Sequence, residues 1–251
     1  MDSEKVRKFL YIAFQALVII LGLLIFTNIY NIESTKKPDD EIKKILAKQQ
    51  QDRLRLAEGK HTNESLPDNW PPKMNELYPA LPLIGLDANE TTLPNLMGKV
   101  VVLEFVDMSS PVSQAQSGAV LLGAYGETRA DDLDKSVVTF EDAFRRTSQN
   151  EDITFPNQNT VHVKVVVYAQ DGGQASLDDA QSWADHFDLK ADDNVVLLVP
   201  KNDIRSDEVQ AMISGYQLID KKGRLRVDSA GVAPKHNLQL TLIPLAEKLM
   251  R

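Results

Sequence analysis

The 251-residue chain contains no cysteine, and this absence excludes more than any motif it carries. Disulfides, thiolate metal sites, iron–sulfur clusters and every thiol redox cycle are ruled out together. Histidine is scarce, at 4 residues, so imidazole-based metal sets have little to draw on. Basic residues are outnumbered by acidic ones, 28 to 36, for a formal charge of -8. No basic face stands out, which argues against nucleic acid as a partner. The sequence shows no internal repeat, no Walker or dinucleotide-binding glycine pattern and no Gly-x-Ser-x-Gly elbow.

Long apolar runs are also few, and one dominates. From Phe9 to Tyr30 the sequence FLYIAFQALVIILGLLIFTNIY has no charged residue. As a helix this run reaches about 33 Å, enough for a hydrocarbon core of about 30 Å. Aromatic residues lie at both ends, where an interfacial belt is expected. Lys5, Arg7 and Lys8 precede it and Lys36 and Lys37 follow, so basic residues favour an internal N-terminus and an external remainder. A cleaved signal peptide would have a shorter core and a small-residue cleavage site, and none follows Tyr30 convincingly. The expectation is a cytoplasmic N-terminus at 1–8, an uncleaved transmembrane anchor at 9–30, and a helical stalk and linker at 31–78. Ile42, Ile45, Leu46 and Leu56 give the stalk a partial apolar face, with Gln49 and Arg53 interrupting a coiled-coil seam.

From residue 79 to 251 strand and helix patterns alternate. LPLIGLD and TTLPNLMGK predict a short hairpin turning at Asp87 to Asn89. VVVLEFV (100–106) reads as a strand covered on both faces. A helix is predicted from Pro111 to about Tyr125, with Ala115, Ala119, Leu122 and Tyr125 on its buried side. Residues 126–160 form a polar insert holding one helix near Thr139 to Thr147. VHVKVVVYA (161–169) is a second strand, and Ser176 opens a helix bearing Leu177, Ala180, Trp183 and Phe187. NVVLLVP, SGYQLID and RLRVDSAG predict three further strands, the last two joined at Lys221 to Gly223, before a closing helix from about His236 to Met250. The order implies an α/β fold, a thioredoxin-like mixed sheet flanked by helices.

Two stretches carry a family likeness. LPLIGLDANETTLPNLMGKVVVLEFV resembles the entry of membrane-anchored, extracytoplasmic thioredoxin-like proteins of the TlpA/ResA type, related to the AhpC/TSA proteins. YQLIDKKGRLRVDSAG resembles the hairpin near their C-terminal end. The likeness runs from about Pro79 to Arg251. Carried over from Phe105, the family's Cys-x-x-Cys pair falls on Ser110-Pro111-Val112-Ser113. Counting back from Asp220, its cis-proline falls on Ser214, and Glu104 matches the position of a buried acid. These six positions read as a vestigial redox site with no catalytic residue, no metal and no cofactor.

The residues themselves suggest what the serines do. Ser110 before Pro111 suits a helix N-cap, and Ser113-Gln114-Ala115-Gln116 fits a capping box. None of His61, His162, His186 or His236 lies in a nucleophile pattern. His162, alternating with valines, reads as a surface or paired residue. The resulting expectation is a single-pass inner-membrane protein, its C-terminal domain in the periplasm, that binds a protein partner in a membrane complex. An enzyme using Glu104, Asp107 or a histidine as base, and a small-ligand or metal carrier, are the alternatives.

Overall fold

The computed structural model describes residues 66–148, 150, 152–190, 194–231 and 233–251. The predicted anchor and residues 31–65 of the predicted stalk and linker, with His61, lie outside the described residues. Among those described, no helix is long and apolar enough to cross a membrane.

Seven strands form one mixed sheet in the order β2-β1-β5-β4-β3-β6-β7. They are β1 (Leu83–Gly85), β2 (Glu90–Thr91), β3 (Val100–Asp107), β4 (Thr160–Tyr168), β5 (Val195–Pro200), β6 (Tyr216–Ile219) and β7 (Leu225–Ser229). Strands β3, β4 and β5 run parallel, and β6 and β7 return antiparallel. The helices are α1 (Pro111–Gln116), α2 (Ala119–Leu122), α3 (Phe140–Thr147), α4 (Leu177–His186), α5 (Asp207–Gln210) and α6 (Ile243–Met250). Parallel strands joined through helices, followed by a hairpin and a closing helix, make the thioredoxin-like arrangement expected from the pattern.

Strand β3 is buried on both faces, as its β-branched run requires. Val101, Leu103 and Phe105 join a cluster with Tyr78, Leu81, Ile204, Val209 and Ile213. Val100, Val102 and Val106 point the other way, toward aromatic and aliphatic residues of α3, α4 and α6. The packed domain also begins earlier than Pro79. Leu66, Trp70 and Met74 pack on the first cluster, Trp70 meets Phe105 edge-on, and the Asn75 amide donates to the Leu225 carbonyl at 2.7 Å.

Three expectations need correction. The helix predicted from Pro111 to Tyr125 is two short helices, because Gly118 takes a left-handed φ of +108° between them. Leu122, expected to be buried, is therefore exposed, as are Val120 and Leu121. Ser113 heads no capping box: it lies inside α1, fully buried, and Ser110 is the cap. The closing helix begins with a wide turn at Leu238–Leu242, set by the Asn237 side chain accepting from Leu240 N, before α6 continues it.

The insert at 126–160 is not a loose loop. Phe140, Phe144 and Phe155 are buried against Tyr216, Leu218 and α6. Each buried aromatic contributes roughly 2 kcal/mol or more, so the insert is welded to the sheet.

Candidate functional site

At the end of β3 the chain turns through Asp107, whose Oδ1 accepts from the amide and hydroxyl of Ser109. Ser110 follows with extended backbone, and its Oγ accepts from Ser113 N at 3.4 Å. Pro111 takes the first helical position, where a missing N–H costs nothing. Val112 is half-buried, while Ser113 Oγ accepts from the Asp107 amide at 3.4 Å. Both hydroxyls thus bond backbone amides, and among the described residues neither is hydrogen-bonded to a histidine or lysine that would turn it into a nucleophile. Gln114 braces the neighbouring loop through Met108 O, Tyr125 O, Tyr125 N and Thr128 Oγ1.

Ser214 precedes β6, half-buried, with a φ of +69°. A proline ring holds φ near -65°, so this backbone is one that proline does not adopt. Ile213, just before it, bridges to Phe105 of β3. Ile213 therefore lies beside the strand that leads to Ser110.

Glu104 is fully buried, and the company it keeps is the main feature the sequence hides. The register of the parallel pair sets Glu104 opposite Lys164 and Val102 opposite His162. Lys164 donates from Nζ to Glu104 Oε2 at 2.5 Å and to Ser117 Oγ at 3.3 Å. His162 Nε2 stands 3.3 Å from the same Glu104 oxygen, an electrostatic contact off the hydrogen-bond line. Its other nitrogen, Nδ1, meets Glu141 Oε1 at 2.7 Å. Glu141 is the first-turn acid of α3, so the insert delivers the fourth member of a quartet with alternating charges.

Side-chain exposure is 0% for Glu104 and His162 and 2% for Lys164. Burial alone would push the Glu104 carboxyl up, but Lys164 and His162 outweigh it and hold it below its ordinary value. For Glu141 burial likewise opposes ionisation, and the charge of His162 carries the group down to about 2. His162 is disfavoured as a cation by burial, yet Glu141 and Glu104 raise it above its ordinary value. Burial, with Glu104 and Glu141 nearby, pushes the Tyr216 hydroxyl well up. With its ammonium paired to Glu104, Lys164 cannot serve Ser117 as a proton acceptor. The contact at 3.3 Å is a cationic donor meeting a hydroxyl, not a serine–lysine dyad.

The quartet is bordered by a cavity of about 470 Å³, whose lining includes Gln116, Ser117, Thr139, Glu141, Lys164 and Lys190. The remaining candidates disperse. His186 Nε2 lies 3.1 Å from the Gly123 carbonyl and its ring packs on Tyr125, while His236 Nδ1 lies 3.2 Å from the Asp228 carbonyl. His162, read from its alternation as a surface or paired residue, is paired but not at the surface. Among the described residues no group of three or more His, Cys, Asp or Glu side chains is arranged to hold a metal ion.

Sequence reasoning found Glu104 but missed Lys164, Glu141 and Ser117. The signal was the alternation in VHVKVVVY, where His162 and Lys164 share one face of a strand. That pattern usually marks a wet face, and here the insert covers it.

No protein-family model matches the chain, and no curated protein matches its sequence. Solved structures similar to it include a putative electron transfer protein from Aquifex aeolicus, at 12% identity and a TM-score of 0.45, covering 71% of this chain and 99% of that one. A putative protein disulfide isomerase from Bacteroides thetaiotaomicron is 16% identical, with a TM-score of 0.44 and coverage of 74% and 94%. The copper-bound ScoI of Arabidopsis thaliana is 13% identical, with a TM-score of 0.40 and coverage of 67% and 96%.

Proposed function

We propose that the chain is a membrane-tethered thioredoxin-like domain that works by binding protein rather than by redox chemistry. It serves as a scaffold, assembly factor or accessory subunit of a membrane complex, with its domain on the extracytoplasmic side of the inner membrane. The uncharged run from Phe9 to Tyr30 supports the tether, and the family likeness supports the compartment. The observation that carries the reading lies next to the helix mouth. Helix α2 exposes Val120, Leu121 and Leu122 at 41%, 83% and 53%, between two glycines and directly after the serine-capped α1. Consecutive exposed aliphatic residues on a short helix suit a protein contact better than solvent. The serines keep the shape of the neighbouring helix start without a reactive group.

The test is crosslinking in the native membrane followed by purification in mild detergent. A specific partner protein is expected, and Leu121→Asp together with Leu122→Asp should abolish its capture. Recovery of the chain alone after efficient crosslinking sinks the proposal. Insulin reduction by the purified chain should be blank.

A further inference from the structure

The cavity bordering the quartet is built from groups that internal bonding leaves partly unmatched. Its volume, about 470 Å³, lies within the range of small-molecule sites, roughly 300–1,000 Å³. Lys164 contributes to its lining with three N–H groups, of which Glu104 and Ser117 take two. Ser117 accepts that bond, and its own hydroxyl proton meets no protein acceptor among the described residues. Gln116 is 7% exposed, and its Oε1 is buried without a donor. Glu141 gives Oε1 to His162 and, with its side chain 33% exposed, joins the cavity lining. An ammonium, a hydroxyl and a carboxylate therefore border the same space.

The charges restrict the occupant. A lone anion would be drawn to Lys164 but would stand beside Glu141, a lone cation would meet the reverse conflict, and the Lys190–Asp188 ion pair adds one charge of each sign to the lining. In a partly enclosed space such a mismatch is expensive, because an ion that loses water needs its counter-charge. A molecule carrying both charges a few ångströms apart avoids either penalty. We propose that this cavity binds a small zwitterion of the amino-acid type, its carboxylate toward Lys164 and Ser117 and its ammonium toward Glu141. The proposal is independent of protein docking at α2, and each can fail without the other.

The full chain, purified in mild detergent, should be titrated calorimetrically with glycine, L-serine and L-glutamate, and separately with acetate and methylammonium. At least one amino acid should bind saturably, with each half-ligand about 100-fold weaker. Ser117→Ala and Glu141→Gln should each weaken that binding about tenfold, the equivalent of about 1.4 kcal/mol. Ser117→Ala removes one hydroxyl and should leave thermal unfolding nearly unchanged, which separates lost binding from lost folding. Absence of heat with all three amino acids overturns the proposal. So does acetate binding as tightly as the amino acid, or an affinity that both substitutions leave intact.

Discussion

Strand β3 leads to two polar sites of opposite character. At its end, Ser110 and Ser113 are neutral hydroxyls, held by backbone amides at the start of a six-residue helix. Within the strand, Glu104 is fully buried in a network with Lys164, His162 and Glu141. A neutral hydroxyl can be removed at the cost of one modest hydrogen bond. A buried charge cannot be left alone, so each member of the quartet constrains the rest. The fold is thus permissive at the helix mouth and strict within the strand beneath it.

The most severe way to break this contrast is Lys164→Met, which strands the Glu104 carboxylate in the core. A loss of about 3–5 kcal/mol is expected in urea unfolding, and Lys164→Met combined with Glu104→Leu should recover most of it. A single-variant cost below about 1 kcal/mol would show the two sites to be equally permissive.

A pH series probes the quartet more gently. Glu141 falls from an ordinary 4.5 to about 2, so its contribution is in place above pH 4.5 and drains away as pH drops toward 2. His162 is raised above its ordinary 6.5, so its contribution is complete below 6.5 and is lost as pH climbs through the raised value. The melting temperature should therefore peak in weakly acidic solution, and His162→Gln should flatten the alkaline decline. A wild-type profile with no alkaline decline would show that His162 gains no charge on folding.

At the helix mouth the effects shrink. Ser110→Ala should cost about 1 kcal/mol, the usual worth of an N-cap. Smallest of all is Leu121→Asp, expected to change stability by no more than about 0.5 kcal/mol because the side chain is exposed. A larger loss there would mean that α2 serves the fold rather than a partner.

Much of the architecture was legible because it follows from local chemistry. The valine runs of β3 and β4, the Ser176 cap of α4 and the turn after Asp220 all declare themselves over a few residues. The break at Gly118 was missed because apolar spacing continues across it, while the left-handed backbone that interrupts the helix is a matter of φ alone. Glu104 was found by family likeness, yet its partners lie 60, 58 and 37 residues away along the chain. No periodicity reports a pairing of that range. Glu141 looks like an ordinary first-turn acid of a helix, and only the docking of the aromatic insert turns it toward His162.

The left-handed backbone at Ser214 also limits what can be engineered there. Two serine-to-cysteine changes, at Ser110 and Ser113, would place a dithiol at the helix mouth, but a proline could not be set beside it at Ser214 by substitution alone. That residue would need φ near -65° where the chain now stands at +69°. The next residue, Gly215, is hemmed in as well: a Cβ there would come within 2.4 Å of the Ser229 carbonyl oxygen. Setting a proline beside such a dithiol therefore requires a segment to be re-laid, not merely one codon to change.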